Sequence, residues 1–166
     1  QVQGFDTGPG NALMDDWYQK HHRGPYDTSG QWAASGTVNP QLLKRFLTDS
    51  YFSQAAPKST GREVFHLDWL MRHIKGFDLP AADIQASLCA LTAETIAREI
   101  NKLSSGGKVY LCGGGTHNMT LNNFLNQKLR NHTLAKLSQK KFDIDALEAM
   151  AFAWLAYAFD KKIPGN

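Results

Sequence analysis

The sequence predicts a helix-rich α/β fold with a short, mostly parallel sheet. Apolar residues recur at spacings of three to five along residues 80–103, the pattern of a long amphipathic helix. A short apolar strand at 108–112 runs into three successive glycines and then into another helical pattern. A second apolar stretch follows at 133–137, and two strands separated by a helix are expected to pair in parallel.

Further helices are predicted before this unit. Residues 12–20 carry apolar side chains at helical spacing and predict the first helix. A second helix is predicted over residues 40–47, with Asn39 as its N-cap and Pro40 at its first position. The segment between them, residues 26–39, is polar and glycine-rich and is predicted to be an irregular loop.

The last predicted helix, at about 145–159, is apolar on nearly all sides. Glu148 and Tyr157 are its only ionisable residues from position 146 onward, so we expect this helix to be buried on most sides. Two interpretations of Glu148 stay open. It could complete a capping box with Asp145, or it could face a cleft and bind hydroxyls or cations.

Composition narrows the function classes. With 166 residues, of which 42% are hydrophobic, the chain is expected to form one folded unit or one lobe of a larger protein. The net charge of +3 without a basic run argues against a nucleic-acid partner. Two distant cysteines suggest neither a disulfide framework nor a zinc site, which favours a cytoplasmic setting. Neither a charged leader nor an apolar run of about 20 residues is present, so a soluble protein without a membrane partner is expected.

One acid lies on a turn of small or rigid residues directly before the first helix. Asp6 belongs to the sequence F-D-T-G-P-G-N at 5–11. Glycine allows positive φ angles and close approach by a ligand, so the carboxylate is expected to be exposed and aimed. Alternatively, Asp6 and Asn11 could only cap the helix that follows. The spacing does not decide between these interpretations.

A polar turn at 57–63, P-K-S-T-G-R-E, carries two cations. Lys58 and Arg62 could hold a phosphate or a carboxylate, because arginine pairs with such groups in bidentate fashion. The alternative is that both are solvated surface charges, with Arg62 paired to Glu63.

The glycines at 113–115 follow the strand at 108–112 and match neither the dinucleotide-binding fingerprint nor the P-loop. Small residues at this point let a flat ligand lie against the backbone at a helix N-terminus, which favours a nucleotide. The alternative is a tight strand-to-helix turn without a ligand.

Four motifs, in this order, resemble the anhydro-N-acetylmuramic acid kinase family. They are F-D-T-G-P-G-N at 5–11 with Asp15 and Trp17, P-K-S-T-G-R-E at 57–63, C-G-G-G at 112–115 with His117 and Asn118, and E-A-M-A-F-A-W-L-A at 148–156. The resemblance implies the ribonuclease-H-like fold of the sugar kinase, Hsp70 and actin superfamily, whose two lobes close over ATP and Mg²⁺. It implies that residues 1–166 are the C-terminal lobe, without the N-terminal lobe and the first strands of this one.

The family's reaction opens the 1,6-anhydro ring of the sugar with water and phosphorylates O6, giving N-acetylmuramic acid 6-phosphate for peptidoglycan recycling. By the resemblance, Asp6 is the general base. The residues expected to bind the sugar are Thr7, Gly8 and Glu148, and those expected to bind ATP are Gly113, Gly114, Gly115 and Asn118. No residue of the chain is expected to ligate a metal. The expected partners are the sugar, ATP and the N-terminal lobe. Without that lobe the chain is not expected to catalyse the reaction. Whether the protein forms a homodimer stays an open question. The rival is a non-catalytic actin-like or Hsp70-like nucleotide-binding module, which would need neither Asp6 nor Glu148.

Overall fold

One long central helix organises the fold. The computed structural model describes residues 3–136 and 146–164. Its helices and strands are α1 (Ala12–His21), α2 (Gln31–Ser35), α3 (Pro40–Phe46), α4 (Leu67–Ile74), α5 (Ala81–Leu103), β1 (Gly107–Leu111), α6 (Met119–Lys128), β2 (His132–Lys136) and α7 (Leu147–Asp160). The helix-rich α/β class is therefore confirmed.

Helix α5 forms the centre of the core. It was predicted from its spacing as an amphipathic helix, and its position is confirmed. Every residue from 84 to 93 is buried, because α1, α2, α3 and α6 pack on different sides of this helix. Trp69 and Leu70 of α4, a helix that the pattern did not predict, also lie in this core.

The first two predicted helices are also confirmed. The apolar side chains of α1, Leu13, Met14 and Trp17, are buried as their spacing requires. Asn39 caps α3, because its Oδ1 accepts the backbone N–H groups of Gln41 and Leu42 at 3.1 and 2.9 Å.

The prediction of an irregular loop at 26–39 is wrong in part. A 3₁₀ turn at Thr28–Gly30 leads directly into α2. The buried Asp27 carboxylate organises this segment, since its two oxygens accept the N–H groups of Trp32 and Ala33, each at 2.9 Å. Side-chain capping by an acid that lies four residues before the helix is not visible in hydrophobic periodicity.

The two strands pair in parallel, as predicted. The register runs from Gly107 opposite His132 to Leu111 opposite Lys136, and each strand begins one residue earlier than expected. Helix α6 connects them and packs on α5, so the turn after β1 lies at the surface of the core.

The prediction that the last helix is buried on most sides is wrong for the described residues. Helix α7 is present, but Phe159 is 88% exposed, Phe152 is 65% exposed and Trp154 is 49% exposed. Ala158 is its one buried residue among the side chains that the structure describes. An apolar pattern specifies what a helix can bury, whereas actual burial needs a second layer, and residues 3–136 do not supply it. Within the described ranges, no helix is both long enough and apolar enough to cross a membrane.

Candidate functional site

The Asp6 turn is seated directly on α5. A Cβ atom added to Gly8 would lie 3.1 Å from both the Phe52 ring and the Thr95 hydroxyl, so a larger residue would not fit without a shift. Gly10 has a φ of 55°, and its carbonyl accepts the hydroxyl of Thr92 at 2.7 Å. Packing therefore requires glycine at position 8, whereas the positive φ favours glycine at position 10, and Asp6 lies at the exposed end of the turn.

The Asp6 carboxylate is held by the polar turn at 57–63 and not by α1. Its Oδ2 accepts the hydroxyl of Ser59 and the backbone N–H of Thr60, both at 3.0 Å. Asn11 occupies the N-cap position of α1 but makes no side-chain capping bond. The interpretation of Asp6 and Asn11 as helix caps is therefore wrong, which leaves the exposed and aimed carboxylate.

The cations of the polar turn have partners that neither sequence interpretation named. Lys58 has a side chain only 3% exposed, and its Nζ lies 3.5 Å from Glu99 Oε1 on α5. The exposed Arg62 binds Asp16 at 2.9 Å. The interpretation of solvated charges is therefore right for the exposure of Arg62, but wrong for its pairing with Glu63 and for the buried Lys58. The charge of Lys58 is compensated inside the fold, which makes this residue an anchor of the turn.

Glu99 remains ionised in this environment. Burial raises the pKa of its carboxyl, but hydrogen bonds and charges from Lys102 and Lys58 outweigh that effect and leave the pKa lowered. The turn at 57–63 is thus fixed to α5 by a buried charge pair.

The glycine turn after β1 presents open backbone. Gly113 has a φ of 72°, and the chain then forms a 3₁₀ turn at Gly114–His117. A Cβ atom at Gly114 would meet no atom within 4 Å, so this glycine faces open space. Asn118 caps α6, since its Oδ1 accepts the N–H of Leu121 at 2.9 Å. The backbone beside Gly114 is therefore accessible at a helix N-terminus.

The two predicted turns lie against each other. A Cβ atom at Gly115 would be 3.6 Å from the side-chain amide of Asn11, the last residue of the Asp6 turn. A cavity of about 460 Å³ opens where they meet. Its walls come from three segments: Asn11, Met14 and Asp15; Tyr26, Asp27, Thr28 and Ser29; and Gly114, His117 and Asn118.

Asp15 gives this cavity a carboxyl group with shifted acidity. Burial raises its pKa to about 6, while the charge of Arg62 lowers it and those of Asp16 and Asp27 raise it. At neutral pH the carboxylate is largely ionised in a partly desolvated wall, where it can bind hydroxyls or a cation.

The wall formed by residues 26–29 is fixed by contacts that the sequence did not predict. Gly30 has a φ of 71°, and its carbonyl accepts the hydroxyl of Thr120 at 2.7 Å. A Cβ atom at Gly30 would collide with the Asn118 side chain. These contacts hold residues 26–30 against the start of α6. The sequence signal was only the glycine and the acid in a long polar segment.

The cavity suits a nucleotide in size and in the groups it offers. Small-molecule sites commonly have volumes of about 300 to 1,000 Å³. The accessible backbone beside Gly114 can approach a flat or anionic group. No group of three or more metal-ligating side chains occurs within the described residues. Magnesium commonly takes one or two carboxylates and completes its shell with water and phosphate oxygens. Asp15 is one carboxylate in the wall of this cavity.

Thr7 and Glu148 are the remaining predicted site residues. Thr7 lies next to Asp6 and is half-buried. Ala146 occupies the N-cap position of α7, whereas Asp145 and the Glu148 side chain lie outside what the structure describes. Both interpretations of Glu148 therefore stay predictions.

The chain is thus an α/β protein in which a parallel strand, an open glycine turn and a helix lie beside a cavity of ligand size. Comparison with known proteins then identifies the family. The family model described as anhydro-N-acetylmuramic acid kinase matches residues 1–166. The chain belongs to this family, and the membership agrees with the expected actin-like fold.

Relatives that carry the name anhydro-N-acetylmuramic acid kinase match almost the whole chain. The protein of Colwellia psychrerythraea is 48% identical to it over 99% of the chain and 46% of the relative. The protein of Photobacterium profundum is 45% identical over 99% of the chain and 46% of the relative. The protein of Vibrio cholerae is 44% identical over the full chain and 45% of the relative. The chain spans about half the length of the curated relatives that it matches.

Proposed function

We propose that the chain is the C-terminal lobe of an ATP-dependent kinase that opens 1,6-anhydro-N-acetylmuramic acid with water and phosphorylates its O6. The product, N-acetylmuramic acid 6-phosphate, would enter peptidoglycan recycling in the cytoplasm. The observation that carries this proposal is the Asp6 carboxylate, which is exposed and held by two hydrogen bonds from the turn at 57–63, in a chain that belongs to the kinase family.

In this proposal Asp6 is the general base. It takes a proton from the water that attacks the anomeric carbon of the sugar, the bond from that carbon to the bridging oxygen breaks, and this oxygen becomes the phosphorylated O6. When bound, ATP with Mg²⁺ supplies the phosphoryl group and neutralises the charge that develops on it. A carboxylate held in this way typically contributes a factor of about 10² to 10⁴ in rate.

Other residues of the chain bind and orient. The Asp6 turn, through Thr7 and Gly8, and the predicted acid Glu148 hold the hydroxyls of the sugar. The backbone at 113–115 and Asn118 hold the nucleotide, with residues 26–29 as the opposite wall. The resemblance named no metal ligand in the chain, but Asp15 lines the same cavity, and its carboxylate would help to place the cation that accompanies the phosphates.

The proposed enzyme needs a second lobe. The resemblance implies that ATP and the sugar lie between two lobes, and the matched relatives are about twice as long as the region they share with this chain. We therefore expect residues 1–166 alone to be inactive, and the full-length protein to be the catalyst. A non-catalytic actin-like or Hsp70-like module is not favoured, since the matched relatives carry the name of a kinase.

The test is Asp6→Asn in the full-length protein, with phosphorylation of 1,6-anhydro-N-acetylmuramic acid as the assay. Turnover should fall by a factor of about 10² or more, while nucleotide binding and the melting temperature stay close to those of the unchanged protein. Asp68→Asn is the matched control, because the Asp68 side chain is 84% exposed on α4 and should leave turnover unchanged. Normal turnover in Asp6→Asn would overturn the proposed function.

A further inference from the structure

The carboxylate of Asp6 is held asymmetrically. Both of its side-chain hydrogen bonds, from the Ser59 hydroxyl and the Thr60 N–H, are accepted by Oδ2. Oδ1 accepts none of the hydrogen bonds found among the described residues. The two oxygens are therefore inequivalent, and only Oδ1 keeps its full capacity to accept a proton.

The backbone of Asp6 is fixed by the same region of the chain. Its N–H donates to the Lys58 carbonyl at 2.9 Å, and its carbonyl accepts the Tyr51 hydroxyl at 2.8 Å. Burial raises the pKa of Tyr51, and the nearby charges of Asp6 and Glu99 raise it further, so this hydroxyl stays protonated and donates. Four hydrogen bonds thus hold the residue, and only the one from Ser59 comes from an exposed side chain.

An open cavity lies beside this arrangement. It has a volume of about 440 Å³ and is lined by Gly4, Phe5, Asp6, Pro57, Lys58 and Ser59. Water or a sugar can therefore reach the carboxylate from the side of the molecule on which Ser59 lies.

We propose that Ser59 is a positioning residue for the base: its hydroxyl, together with the Thr60 N–H, fixes Oδ2 and so presents Oδ1 to the attacking water. This inference rests on the proposed function, in which Asp6 takes the proton. It also assigns a role to the serine of the P-K-S-T-G-R-E turn, whose anchor is the Lys58–Glu99 pair. Proton transfer in the transition state is sensitive to the orientation of the base, because a displacement of about 1 Å can cost a factor of about 10².

The test compares three variants of the full-length protein. Ser59→Ala should lower kcat about tenfold, since the Thr60 N–H still holds Oδ2, and should change KM for the anhydro sugar less than about twofold. Ser59→Thr keeps a hydroxyl at this position and should restore most of kcat. The control is Ser53→Ala, which removes an exposed hydroxyl that donates only to the Ser50 carbonyl and should leave both constants unchanged.

Thermal unfolding of each variant separates positioning from folding. The expected result is a kcat loss in Ser59→Ala without a loss of melting temperature. The inference is overturned if Ser59→Ala keeps normal kcat, if Ser59→Thr is impaired as much as Ser59→Ala, or if the loss of kcat follows a loss of fold. Failure of this inference alone is recognised by an inactive Asp6→Asn beside a normal Ser59→Ala, whereas an active Asp6→Asn overturns both proposals.

Discussion

The buried charge pair beneath the Asp6 turn predicts an unequal response to the loss of each partner. Glu99 is paired with two cations, since Lys58 lies 3.5 Å and Lys102 lies 3.0 Å from its Oε1. Lys58 has no second carboxylate within the described part of the chain. It has only the Tyr51 carbonyl at 3.4 Å and the Tyr51 ring at 5.0 Å.

Glu99→Gln should therefore be more destabilising than Lys58→Met. The first change leaves an ammonium group with a 3% exposed side chain and no counter-charge, and breaking a buried pair in this way costs about 3 to 5 kcal/mol. The contacts to Tyr51 place the expected cost near 3 kcal/mol. Lys58→Met leaves Glu99 paired to Lys102 and keeps an unbranched apolar stem, so its cost should be about 1 to 2 kcal/mol.

Urea unfolding of the full-length protein measures these differences. The double variant Lys58→Met, Glu99→Gln should be more stable than Glu99→Gln alone, because it removes the unpaired buried cation. Lys128→Met is the control for the loss of a more exposed ion pair. It breaks the pair between Lys128, with a side chain 32% exposed, and Glu94, with a side chain 22% exposed, and should cost less than about 1 kcal/mol. Equal costs for Lys58→Met and Glu99→Gln would show that the unpaired Lys58 ammonium is not the source of the instability.

Two further predictions concern the cavity. Burial raises the pKa of Asp15 to about 6 from 3.8, so its charge destabilises the fold increasingly as pH rises from about 4 to 6. Asp15→Asn should therefore raise the melting temperature at pH 8 and leave it unchanged near pH 4. The expected gain is about 1 kcal/mol after allowance for the partial exposure of the residue, and an equal gain at both pH values would contradict this. Gly30→Ala should lower the free energy of unfolding by about 2 to 4 kcal/mol, because it combines a positive φ with a collision against Asn118. Gly76→Ala is the control, since Gly76 has a φ of 89° but free space around it, and should cost only about 1 kcal/mol in the same thermal assay. Equal costs at the two glycines would show that the collision is relieved.

Local signals were sufficient where an element is specified by its own residues. The helices at 12–21 and 40–46 follow from apolar spacing, and the cap at Asn39 follows from the residue type and the proline after it. The parallel pairing of the strands follows from the helix between them. Each of these predictions depends on residue types and spacings within a stretch of about 30 residues, the length of a strand–helix–strand unit.

The interpretations that were wrong depend on distant partners. Lys58 resembles a surface cation because its partner, Glu99, is 41 residues away on another element. The Asp6 turn resembles a helix cap because the donors that hold its carboxylate come from 53 and 54 residues further along. Helix α7 resembles a core helix because periodicity records apolar character and not the presence of a covering layer. Position in sequence alone does not identify any of these contacts.

The polar residues of the core helix explain how the site keeps its geometry. Thr92, Thr95 and Glu99 are spaced by three and four positions, so they lie on one face of α5. The Thr92 hydroxyl holds the Gly10 carbonyl, Thr95 packs against Gly8, and Glu99 binds Lys58. The two segments that carry and orient Asp6 are thus both fixed to the same helical face. Because that face belongs to the buried central helix, the segments that hold Asp6 are themselves anchored in the core.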